Sequence, residues 1–110
     1  MRNPWRKPYD YDDVMEMLQR AVAEKGDGHT SPSAYVDCIT GAPICIVGHV
    51  LNYMGLLNRV QGNGVGVRHL GLAGRHLITF EALDALAEAQ EVQDMGKTWG
   101  EALIAAKELP

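Results

Sequence analysis

Cys45 and His49 stand four residues apart, the spacing that brings two side chains onto one face of a helix, and Cys38 lies across an intervening turn from both. A thiolate and an imidazole so placed are the beginning of a tetrahedral zinc site, which needs four donors converging at about 2.0–2.3 Å. The fourth would come from His29, His69 or His76. The same pair also reads as a nucleophile and its base, with Cys45 near a helix N-terminus, where the dipole depresses a thiol pKa. Two features weigh against both chemistries. The spacing from Cys38 to Cys45 is not that of a paired-cysteine knuckle, and Ile44, Ile46, Val47 and Val50 surround Cys45 with apolar side chains, the setting of a buried thiol that acts as a small hydrophobe. No oxyanion donor or orienting acid can be assigned. The expectation is no catalytic set and no cofactor, with Cys38, Cys45 and His49 as weak metal candidates.

A second stretch that invites chemistry is Gly62-Asn63-Gly64-Val65-Gly66, followed by Arg68 and Arg75. Backbone amides of a Gly-rich loop bind anions at helix N-termini, and Arg68-His69 with Arg75-His76 make the neighbourhood locally positive. The lysine and hydroxyl of a P-loop are missing, and no ribose-binding acid falls about 20 residues on in a βαβ unit. Gly62, Gly64, Gly66, Arg68 and Arg75 therefore form the alternative site, for a small molecule or nucleotide. The acidic set Asp10, Asp12, Asp13 and Glu16 could hold a divalent ion, yet first-turn carboxylates are what a helix dipole favours in any case.

The elements that position these residues follow from periodicity. Val14, Met17, Leu18, Ala21 and Val22 mark a helix from Asp10 or Asp12 to Lys25, ended by Gly26. Residues 26–33 form a polar loop. Residues 34–55 are the organising stretch: a short β-prone run, the turn Thr40-Gly41-Ala42-Pro43, then a helix with Pro43 in its first turn, Thr40 or Gly41 as its cap, and Ile44, Val47, Leu51 and Met54 at helical spacing. Gly48 permits close backbone approach, and Gly55 suits a positive-φ terminus. Residues 68–78 suggest a short helix with Leu70, Ala73 and Leu77 on one side. Thr79 caps a strong helix over 80–95 with two faces, one of Phe80, Leu83, Leu86, Ala87 and Gln90, the other of Ala82, Ala85, Ala89 and Val92. Thr98-Trp99-Gly100-Glu101 matches a capping box and opens a last helix to Leu109, with Trp99, Ala102, Leu103 and Ala106 on one side. The predicted fold is mainly α, a compact bundle of four to five helices with room for a short β-hairpin over 34–46. One domain spans residues 1–110, with residues 1–9 as an extended N-terminal arm whose Trp5 and Tyr9 dock on the domain, meet a partner surface or stay disordered, in that order of expectation.

Composition excludes several classes. At 110 residues, 46% hydrophobic and 22% charged, with a formal net charge of −4, the chain suits one globular domain and not a nucleic-acid or anionic-membrane binder, which needs clustered Lys and Arg. No apolar run reaches the roughly 18 residues of a membrane span. The N-terminus has no apolar secretion core, so a cytoplasmic location with reduced cysteines is expected.

The order of these segments resembles a group of small proteins from actinobacteria and their phages. It is carried by Gly41-Ala42-Pro43-Ile44-Cys45-Ile46-Val47-Gly48, the pattern G-x-P-x-C-x-V-G, and by Thr98-Trp99-Gly100-Glu101-Ala102-Leu103, the segment T-W-G-E-A-L. The likeness spans residues 12–106, leaving out 56–78. It implies a context, a phage or mobile-element accessory protein in the host cytoplasm, and no activity. The leading expectation is thus a non-enzymatic interaction module that binds a host or viral protein and forms a homo-oligomer, using Trp5, Tyr9, Ala82, Ala85 and Ala89; nucleotide binding comes second and a Cys/His zinc protein third.

Overall fold

In a computed structural model, which describes residues 7–37, 39–57 and 66–109, the chain is an all-α bundle of four helices: α1, Tyr11–Lys25; α2, Ile46–Tyr53; α3, Phe80–Asp94; and α4, Trp99–Lys107. A single 3-10 turn, Val67–Leu70, stands where a fifth helix was expected over 68–78. Gly71, in a left-handed conformation, stops it, and the chain continues in turns that still bury Leu72 and Ile78. α3 packs on all three other helices, most extensively on α4.

α1 follows its periodicity, burying Val14, Leu18, Ala21 and Val22, with Met15 turned further inward than Met17. Two of its acidic residues are structural. Asp10 caps the helix, accepting from the Asp13 amide at 2.9 Å, while Asp13 accepts from the Asp10 amide at 3.0 Å. No sheet forms among the described residues. The expected hairpin is reduced to one antiparallel bridge, Val36 to Pro43, extended by the Ile44 and Cys45 amides donating to the carbonyls of Tyr35 and Ala34.

That pairing delays α2. Pro43 and Ile44 are held extended against residues 35 and 36, so the helix starts at Ile46, and Cys45, not Thr40 or Gly41, is its N-cap. Six successive residues, Ile46 to Leu51, are buried, as expected for a central helix. Gly48 is where the strand-like segment crosses: a Cβ there would collide with the Tyr35 carbonyl.

Tyr9 belongs to the domain. It forms a parallel bridge with Ile78, donates its amide to Leu77, accepts from the Thr79 amide, and is only 7% exposed. Trp5 lies outside the described residues. The alanine face of α3 is likewise internal: Ala82, Ala85 and Ala89 have no exposed surface, because their small side chains let α3 sit close to its neighbours in the bundle. Tyr9 and these three alanines are therefore packing groups and not a free interface. Phe80, expected on a packed face, instead projects outward from the first turn of α3 and is 72% exposed.

Candidate functional site

The Cys45 and His49 side chains do not address each other. The Cys45 thiol accepts from the Gly48 amide at 3.2 Å, and His49 Nδ1 lies 3.1 Å from the Cys45 carbonyl. A ring nitrogen facing a carbonyl carries the proton, so the neutral imidazole keeps its bare nitrogen at Nε2. The depressed thiol pKa that a nucleophile would need is absent, and Cys45 is the buried thiol that its apolar neighbours led one to expect. Burial pushes Cys45 up to about 11, outweighing the amides of the helix end, so the thiol stays protonated near neutrality. Burial also holds His49 below the usual histidine range, with Lys25 and His29 acting in the same direction and the Cys45 carbonyl and Glu24 opposing. Among the described residues no three His, Cys, Asp or Glu side chains gather as metal ligands, and Cys38 lies outside those residues.

What surrounds this pair is a polar network that links three helices. Trp99, fully buried, donates its indole N–H to Ser31 Oγ at 3.1 Å; Ser31 donates to Gln93 Oε1 at 3.1 Å; and the same oxygen accepts the Ile46 amide at 2.9 Å. One turn away, Gln90 Oε1 accepts the Val67 amide at 2.8 Å and its Nε2 donates to the Tyr35 hydroxyl at 2.7 Å. Two glutamines of α3 thus supply acceptors for amides at the starts of α2 and the 3-10 turn, groups that otherwise lack intrahelical partners. The loop before the organising stretch serves α4 in the same way, its carbonyls of His29 and Asp27 accepting from the Trp99 and Gly100 amides, each at 2.9 Å. Gly100 is required there, since a Cβ would stand 2.9 Å from the Asp27 oxygen. The sequence signal for the network was polar Gln90 and Gln93 on the inner side of an apolar helix.

The arginines of the alternative site are not gathered. Gly62 and Gly64 lie outside the described residues. Gly66 precedes the 3-10 turn, and Arg68 Nη1 is 2.8 Å from Asp84 Oδ1, a half-exposed ion pair worth about 0–1 kcal/mol. A cleft of about 460 Å³ has Gly66, Arg68 and His69 on one side and Gln90, Glu91 and Asp94 on the other; Arg75 is not on its described walls. The two carboxylates oppose an anion there.

The outer face of α3 is different in character. At 100° per residue, Phe80, Glu81, Asp84 and Glu88 share one flank. A groove of about 470 Å³ runs beside it, lined by Tyr11, Arg68, Glu81, Asp84, Glu88 and Leu109. The Tyr11 hydroxyl fixes one wall by donating to the Ala106 carbonyl at 3.3 Å. Three carboxylates line the groove together with Tyr11 and Leu109, and Phe80 stands on the same flank of α3 outside those walls; the one arginine on the groove's described walls is already matched by Asp84.

No helix among the described residues is long and apolar enough to cross a membrane. Comparison with family models, curated proteins and solved structures finds no match to this chain.

Proposed function

We propose that the chain is a non-enzymatic protein-interaction module whose contact face is the outer flank of α3, and that its partner presents a basic segment. The observation that carries this reading is Phe80, 72% exposed on the same flank as Glu81, Asp84 and Glu88. An aromatic ring beside carboxylates offers an apolar anchor within a field that attracts Lys and Arg. The net charge of −4 acts in the same sense. The groups that suggested catalysis have structural occupations instead, Cys45 as a cap and His49 as a packed, backbone-bonded ring. The phage accessory role in host cytoplasm rests on the resemblance, and among the described residues the exposed large apolar groups open to a homo-oligomer are Ile39, Phe80, Met95 and Ile104, in place of the buried alanines.

Calorimetric titration with Lys/Arg-rich amphipathic peptides tests the reading. Binding should weaken with added salt and be lost in Phe80→Ser combined with Glu81→Gln and Glu88→Gln; binding unchanged in that variant sinks it. The nucleotide alternative has less support, because Arg68 is paired and Arg75 stands apart from the cleft. Thermal stabilisation by a nucleotide, lost in Arg68→Ala with Arg75→Ala, would restore it.

A further inference from the structure

Trp99 is wedged between two imidazoles. His29 meets it edge-on with ring centroids 4.6 Å apart and planes at 85°, and His49 does so from α2 at 5.0 Å and 72°. His49 is 7% exposed and Trp99 not at all. We propose that His49, packed against Trp99, is a pH-sensitive latch that holds the 27–31 loop onto α2 and α4 and releases it on acidification.

The loop is held at one place. The His29 and Asp27 carbonyls accept the first amides of α4, and Ser31 bridges the Trp99 indole to Gln93. Two of these bonds are made by Trp99 itself, through its amide and its indole N–H. His49 supports Trp99 only in its neutral form. It sits in the middle of the eight-residue α2, away from both helix ends. From α1 Lys25 opposes its protonation and Glu24 favours it; from the loop His29 opposes it; on its own helix the Cys45 carbonyl favours it. An imidazolium beside the indole would gain a modest cation–π attraction. Against that stand burial, Lys25 and a second imidazole across the same indole. Proton uptake is therefore coupled to exposure of His49, and the element that must move to expose it is the loop bearing His29 over Trp99.

The test uses the full chain with Trp5→Phe, which leaves Trp99 as the one tryptophan. Its emission is followed from pH 8 to 4 together with far-ultraviolet circular dichroism. The expected result is a red shift of Trp99 emission with a midpoint below 6.5, while helical ellipticity is retained, and loss of that shift in His49→Gln. A red shift that coincides with loss of helix, or one that persists unchanged in His49→Gln, overturns the proposal. Should His49→Gln fail to fold, imidazole resonances of the Trp5→Phe chain decide. His49 titrating together with the Trp99 indole signal supports the latch, and an indole signal that moves without His49 refutes it.

Discussion

Gln93 Oε1 accepts the backbone amide of Ile46 at 2.9 Å, so a side chain near the end of α3 completes the start of α2, 47 residues earlier. The same oxygen takes the Ser31 hydroxyl, and Gln93 itself is 1% exposed. Replacing it with Leu would keep the volume and leave the buried Ile46 amide without an acceptor, at about 1–3 kcal/mol, and would also remove the acceptor of the half-buried Ser31 hydroxyl. Gln93→Leu should therefore lower the urea midpoint markedly with an unchanged m value; stability equal to that of the parent chain would show that water takes over the two bonds.

Gly48 and Gly100 face backbone where a side chain would stand. Alanine in a helix interior ordinarily gains about 1 kcal/mol over glycine. At these two positions the sign should reverse, since the Tyr35 carbonyl and Asp27 would have to move. Gly28→Ala, with open space around it, is the control expected to stay within about 0.5 kcal/mol of the parent. Equilibrium unfolding of the three variants checks the ordering.

Cys45 should behave as a structural thiol. In a Cys38→Ser background, where it is the sole cysteine, an aromatic disulfide reagent at pH 8 should react only as fast as the chain opens, because the thiol is 2% exposed and its pKa is raised to about 11. Rapid labelling of the folded protein would contradict this. Cys45→Ala removes the cap and should cost about 1 kcal/mol.

Two acid-dependent losses of stability are expected, in different pH windows. The folded pKa of His49 lies below its unfolded value of 6.5, so the unfolded chain takes the proton first; this contribution is complete above 6.5 and declines as pH falls below it. Glu101 is lowered from 4.5 by bonds from the Thr98 amide and hydroxyl, with Lys97 adding a little, so its contribution persists to lower pH and declines only below 4.5. Denaturation midpoints of His49→Gln and Glu101→Gln between pH 7 and 3.5 should each lose one of these two declines.

Phe80 and Trp99 are both aromatic first residues of helices with opposite burial. Trp99→Ala should cost about 3–5 kcal/mol, whereas Phe80→Ala should change stability by less than about 0.5 kcal/mol. A large loss at Phe80 would place it in the packing and remove the basis of the proposed contact face.

The periodic parts of this fold were legible from the residues. The α1 stripe, the Thr79 cap, the Thr98–Glu101 capping box and the close approach at Gly48 are local or depend on one side chain's size, and local rules found them. The start of α2 was misplaced because Pro43 and Ile44 are governed by pairing with residues 35 and 36, which competes with the helix for the same amides. The orientation of Phe80 was missed because it stands at the edge of the Leu83–Leu86 face, as near to Asp84 as to Leu83 on the helix surface. The candidate site was harder still. Cys45 and His49 were found as a pair at the right spacing, yet their direction toward backbone and their raised and lowered pKa values come from burial, a tertiary quantity. The roles of Gln90 and Gln93 depend on partners far away in sequence.

The opening amides of α4 find their acceptors in a loop some seventy residues upstream, and that of α2 finds one on α3. Short helices are marginal by themselves, and these two are 9 and 8 residues long. Neither can be completed by its own neighbours, so assembly of the bundle and formation of its helices must be the same event. An excised α4 peptide should be a coil, and heat should remove α2 and α4 in one cooperative step, with no stage at which isolated helices survive.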